Sequence, residues 1–195
     1  MPRLFLAVQI PSHVVENVVG IQKHLEILLH GSNNNICWLR SDNMHITLKF
    51  YGDITTSQIP SLITDLKSKV TVVSPFMIEV LGLGCFPDIN RPRVIWMGVG
   101  GEVDMLCRLN NIAASNADKL ELNTGNRIFR PHFTIGRFRT KYNHNNIEAE
   151  ELHTVIKNFG SCRLGEWQVD CIVLVKSELS KLGAKHTSIS RISIK

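Results

Sequence analysis

No stretch of this chain is apolar for anything near the roughly 20 residues that a membrane-crossing helix needs. The longest apolar runs are short ones, such as Leu4–Val8 and Cys171–Val175. The amino terminus has no basic segment leading into a long apolar stretch and a small-residue cleavage site, so Arg3–Val8 reads as a first strand. The expectation is a cytoplasmic protein. Cysteine is sparse and odd in number: Cys37, Cys85, Cys107, Cys162 and Cys171, with no C-x-x-C pair. That pattern argues against a disulfide framework and against a zinc ribbon. Most of the five are expected to be buried thiols acting as small apolar side chains. The two glycine-rich stretches, Gly82–Gly84 and Gly98–Gly101, lack the dinucleotide fingerprint and read as turns, so no cofactor is expected. No linker rich in Pro, Gly and Ser separates independent units, which points to one domain spanning 1–195. Acidic residues are missing altogether between Leu122 and Ile147, where Arg127, Arg130, Arg137, Arg139 and Lys141 accumulate. Such a segment favours an anionic partner.

What is present alternates between strand and helix patterns. Strands are expected near Leu4–Ile10, Cys37–Leu39, Met44–Tyr51, Phe76–Leu83, Val94–Val99, His132–Phe138, Gln168–Ser177 and Thr187–Ile194. Helices are expected after Pro11-Ser12, from Ser57 with Pro60 in the first turn, over Glu102–Asp118 and over Glu148–Asn158. In the first helix Val14, Val18, Ile21, Leu25 and Leu28 recur at helical spacing. Loops are expected at 31–35 and 143–146. The fold class is α+β with mostly antiparallel sheet.

Two of the expected strands carry the same phrase, 87 residues apart: His45-Ile46-Thr47-Leu48 and His132-Phe133-Thr134-Ile135. Side chains alternate faces along a strand, so each copy buries two apolar residues and presents one imidazole and one hydroxyl. The repeat suggests two pseudo-symmetric lobes with helices outside and the site in the cleft between them. Cleaving a phosphodiester near neutral pH needs one proton removed from the attacking oxygen and one given to the leaving oxygen. Histidine, with an ordinary pKa near 6.5, suits both tasks. In-line displacement puts the two groups on opposite sides of phosphorus, as two facing strands would. Thr47 and Thr134 can then donate to the non-bridging oxygens. A metal site would need three or four clustered ligands, and neither motif has a second ligand at close spacing. A serine nucleophile has no elbow motif to hold it.

The paired motifs resemble those of the two-histidine phosphoesterase superfamily. Pro2–Val8, Asn43–Asp53, Phe129–Arg137 and Val173–Leu179 are similar to its bacterial and archaeal 2′-5′ RNA ligase branch. That resemblance implies a bilobal α+β fold and the opening of RNA 2′,3′-cyclic phosphate ends to 2′-phosphates. Some members also join tRNA halves through a 2′-5′ bond. It further implies His45 as proton donor, His132 as proton acceptor, and a phosphate contact from Arg137, five residues after the second histidine. Strict alternation aims Arg137 away from His132, so the strand must bulge near Gly136 or the side chain must reach round the end. Arg130 shares the parity of His132 and competes for the same role. Lys49 and Tyr51 have the parity of His45, and they and Trp38 are candidate RNA or base contacts. Phe50 has core parity and is expected to be buried. The other histidines, His13, His24, His30, His144, His153 and His186, are expected to be surface or structural. The partner implied is RNA, with no membrane and no metal, and a monomer is expected. Two alternatives stand beside this one. The substrate could be a 2′-5′ oligonucleotide or small cyclic nucleotide, or the chain could be a non-catalytic RNA-binding module.

Overall fold

The computed structural model describes residues 1–29, 36–122, 128–139, 146–180 and 183–195, the side chains of 146–149 and 179–180 excepted. His30, His144, Arg127, Lys141 and the loops expected at 31–35 and 143–145 lie outside the described residues. The strands are β1 (Arg3–Gln9), β2 (Ile36–Trp38), β3 (His45–Asp53), β4 (Phe76–Phe86), β5 (Val94–Gly101), β6 (His132–Phe138), β7 (Arg163–Val169), β8 (Cys171–Ser180) and β9 (Gly183–Ser193). The helices are α1 (Ser12–Leu28), α2 (Ile59–Lys69), α3 (Val103–Lys119) and α4 (Asn146–Phe159). Two antiparallel sheets result, in the orders β3-β1-β8-β9 and β2-β6-β5-β4-β7. Apart from the hairpin pairs β4–β5 and β8–β9, neighbouring strands come together from distant parts of the chain, and each sheet holds one motif strand.

The helices cross between the sheets. α3 follows β5 of the five-stranded sheet yet packs, with α2, behind β3 and β9 of the four-stranded one. α1 follows β1 of the four-stranded sheet and packs, with α4, behind β7 and β4. One continuous core therefore takes side chains from both sheets, among them Leu6, Ile46, Leu48, Ile95, Phe133 and Ile135. Asp65 fastens α2 to α3, accepting from Lys119 Nζ at 2.7 Å and Asn116 Nδ2 at 2.8 Å. Those donors hold its carboxyl well below the ordinary range.

Three expectations need correction. Gln168–Ser177 is not one strand, because β7 ends at Val169 and β8 begins at Cys171 in the other sheet. No glycine or proline marks that change of sheet, so the apolar pattern runs through it. In α1 Val14, Val18 and Leu25 are buried as expected, but the fourth buried position is Gln22 rather than Ile21, and Leu28 is exposed. Of the cysteines only Cys171 is buried; Cys85, Cys107 and Cys162 are half-buried and Cys37 is exposed.

Candidate active site

β3 and β6 approach within 8 Å at their Cα atoms, one from each sheet. In each, the apolar pair of the motif is buried: Ile46 and Leu48 in one, Phe133 and Ile135 in the other. Burial of that pair fixes the opposite face, which carries half-buried His45 and Thr47, and His132 and Thr134. The imidazoles are held alike. His45 Nδ1 donates to the Asn43 carbonyl at 2.8 Å, and His132 Nδ1 donates to the Arg130 carbonyl at 2.6 Å. A carbonyl can only accept, so each neutral ring carries its proton on Nδ1 and leaves Nε2 to exchange one.

Each strand then breaks its alternation at the same place. Thr47 pairs with Ala7 and Lys49 with Leu6, so Leu48 is an extra residue. Likewise Trp96 pairs with Thr134 and Ile95 with Gly136, so Ile135 is extra. Both bulges fall on the fourth residue of the motif. The carbonyl at each bulge is taken by a helix side chain: Asn110 Nδ2 of α3 donates to Leu48 O at 2.6 Å, and Gln22 Nε2 of α1 to Ile135 O at 2.8 Å. A bulge shifts every later side chain to the other face.

The shift decides which neighbours reach the cleft. Arg137 pairs with Val94, next to Trp96 but on the opposite side from buried Ile95, so the bulge brings Arg137 onto the face of His132. Phe50 pairs with Phe5, and the two rings lie 5.7 Å apart on the face of His45. Phe50 is 62% exposed, against the expectation that it would be core. Tyr51 is the converse correction: it is 2% exposed in the core, its hydroxyl has no partner among the described residues, and it does not face the cleft. Lys49 sits opposite Leu6 at the bulge, off the row of His45. Trp38 lies against Gly136 beside Ile36 on the core side, so it is not a platform in the cleft either. The side chain of Arg130 is exposed; its carbonyl is what meets His132.

Aromatic rings line both halves. Phe5 stacks on His45 with centroids 4.6 Å apart, and forms with Ala7, Val173 and Val175 a small apolar patch on this face of the sheet. Phe86 and Trp96 meet His132 edge-on, at 4.9 and 6.0 Å. A side chain at Gly84 would overlap the Trp96 ring, which accounts for glycine there. One residue expected to be peripheral belongs to the site: His186, whose ring lies 5.2 Å from that of His45 and 5.1 Å from that of Phe5. No motif in the sequence marks Phe5, Phe86, Trp96 or His186.

The electrostatics follow from this packing. Burial, then the neighbouring His186, and also the Arg137 guanidinium push the pKa of His45 down to about 4, with the Asn43 carbonyl opposing them. His132 is lowered by burial and by Arg137, against the Arg130 carbonyl. Arg137 thus acts on both imidazoles, from a strand it shares with only one. Among the described residues no three His, Cys, Asp or Glu side chains come together as metal ligands, and no helix is long and apolar enough to cross a membrane. A cleft with two exchangeable imidazoles, two hydroxyls and a guanidinium can bind a phosphoryl group and move a proton on either side of it.

Comparison with known proteins agrees. The family profile described as LigT-like phosphoesterase matches residues 8–96. A protein of Aquifex aeolicus named RNA 2′,3′-cyclic phosphodiesterase is 30% identical over 188 residues, covering 96% of this chain and 94% of the relative. A protein of Archaeoglobus fulgidus with the same name is 31% identical over 181 residues, covering 93% and 94%. The solved structure of a Thermus thermophilus protein superposes with a TM-score of 0.80 at 23% identity, covering 98% of this chain and 97% of its own, which speaks for the fold. With near full-length identity of this order to two such relatives, the chain belongs to the LigT-like phosphoesterases of the two-histidine superfamily.

Proposed function

We propose that this protein hydrolyses RNA 2′,3′-cyclic phosphate ends to 2′-phosphates without a metal. What supports the reading is the pair of Nδ1-tethered imidazoles on facing strands, together with the activity for which the relatives are named. Water attacks phosphorus while His132 Nε2 takes its proton. The bond from phosphorus to the 3′ oxygen breaks as His45 Nε2 delivers a proton to that oxygen, leaving a 2′-phosphomonoester. Thr47 and Thr134 donate to the non-bridging oxygens, and Arg137 neutralises the charge held there, with Arg130 nearer the rim. Phe50, exposed beside Phe5, offers a stacking surface for a terminal base. With a 5′ hydroxyl in place of water as nucleophile, the same groups would form a 2′-5′ bond as the 3′ oxygen leaves. The enzyme acts as a cytoplasmic monomer on tRNA halves or other RNAs with such ends.

A donor whose pKa is about 4 in the free enzyme carries no proton at neutrality. The phosphodiester anion supplies the missing stabilisation, because an opposite charge within a few ångströms favours the protonated ring. The basic limb of kcat should therefore lie at higher pH than that of kcat/KM, which reports the free enzyme. The test is turnover of an oligoribonucleotide bearing a 2′,3′-cyclic phosphate, in EDTA, from about pH 3.5 to about pH 9, with the product analysed. A 2′-phosphate product is expected. A metal requirement or a 3′-phosphate product would overturn the mechanism. Turnover of small cyclic nucleotides alone would move the substrate to that class, and RNA binding without turnover would leave only a binding module.

A further inference from the structure

The third histidine reaches the site by an unusual route. β9 and β3 are opposite edges of a four-stranded sheet, which in a flat sheet would lie about 14 Å apart. Here the β8–β9 hairpin curls over the face that carries Phe5 and His45, and a bulge at Ile189, opposite Leu174 and Val175, helps it to turn. Asn43 Nδ2 pins the hairpin by donating to Ala184 O at 3.1 Å, two residues from His186. The carbonyl of the same Asn43 holds His45 Nδ1. One residue therefore ties both rings.

The three rings form a near-equilateral set, with centroid separations of 4.6, 5.1 and 5.2 Å. His45 and Phe5 are stacked at 24°, and His186 stands almost perpendicular to both, at 74° and 71°. It closes the open side of the stack and leaves the His45 ring little freedom to tilt. Resting on the phosphodiesterase reading above, we propose that His186 is a positioning residue for the reaction, one that holds the His45 ring in plane against Phe5 and sets a second imidazole beside it. Two imidazoles this close resist carrying two protons, so the second proton enters only at lower pH. The charged groups around the pair are Arg137 on β6, which also disfavours protonation of His45, and Asp42 before β3, which favours it on His186. His186 itself is lowered by burial.

The test is an NMR titration of the His45 ring in the full-length chain without substrate, comparing wild type with His186→Gln and His186→Phe. It reads the proposal even if the chain fails to hydrolyse cyclic phosphates. In the Gln variant, which stays polar but cannot charge, the His45 midpoint should rise by about one pH unit. Should the Gln variant not fold, the Phe variant, which preserves the packing, reads the same charge removal. In turnover assays the basic limb of kcat/KM should rise with the midpoint. His186→Ala, which removes ring and charge together, should lower kcat about tenfold with KM unchanged, and His186→Phe should keep most of kcat. An unmoved His45 midpoint with an unmoved basic limb would overturn the proposal, as would full kcat in His186→Ala.

Discussion

In both β3 and β6 the bulge falls on the fourth residue of the motif, and a helix amide takes the carbonyl there. Yet the residue delivered to the cleft, five places after the histidine, is Phe50 in one strand and Arg137 in the other. As far as that residue the backbone plan is duplicated and the chemistry it carries is not; beyond it β3 alone bulges again, at Tyr51. One half receives an apolar surface suited to a base, the other a guanidinium suited to phosphate. The imidazoles diverge in the same way. Identical tethers hold them, but His45 is stacked on Phe5 beside another imidazole, whereas His132 is touched by the edges of Phe86 and Trp96. Pseudo-symmetry therefore fixes geometry, and local neighbours assign roles.

The largest effect on that comparison should come from the histidines themselves. His45→Ala and His132→Ala should each lower kcat by about 10²–10⁴, and the double variant by little more than the worse single one, since the pair acts as a unit. Steady-state rates on a cyclic-phosphate oligoribonucleotide measure this. Loss of only one activity would mean that a single imidazole serves both protons. Next, Arg137→Ala should cost about 10–10² in kcat/KM, with Lys recovering only part of it, because an ammonium cannot reproduce the two-pronged donation a guanidinium offers to phosphate. It should also raise the titration midpoints of both imidazoles, since the guanidinium disfavours both protonated rings. A rise confined to His132 would show that Arg137 does not bridge the halves.

Phe50→Ala should raise KM for oligonucleotides by about five- to a hundredfold and leave the bond-breaking step intact, as stacking is worth about 1–3 kcal/mol per base. Tyr51→Phe, one residue along, should leave KM and kcat unchanged, and stability unchanged or slightly higher, because its buried hydroxyl has no partner among the described residues to lose. An effect of Tyr51→Phe on KM would put the bulge in the wrong place.

The smallest effect is on acid stability. Above about pH 6.5 His45 is neutral in folded and unfolded chains alike and contributes no pH dependence. Between 6.5 and about 4 the unfolded chain takes the proton first, so stability falls as pH falls. His45→Gln removes that contribution, and its Tm should drop less than that of wild type on going from about pH 7 to about pH 4.5. An equal drop would mean that the ring is not desolvated.

The sequence by itself determined the motif strands and their polar faces, because alternation is a local rule that Ile46, Leu48, Phe133 and Ile135 obey. It also marked nearly every helix and strand, through periodicity and through Pro and Gly punctuation. It left Arg137 open between a bulge at Gly136 and a reach round the strand end, and it put Phe50 and Tyr51 on each other's faces. A bulge is decided by what the strand pairs with and by which side chains take its carbonyl, here Asn110 and Gln22 from helices 62 and 113 residues away. His186 was out of reach of any local rule, since it meets His45 only through the curl of a sheet whose two edges come from opposite ends of the chain. Face and periodicity are properties of neighbouring residues; register, curl and the charge each imidazole feels belong to the assembled tertiary structure, because the contacts that set them exist only after the chain has folded.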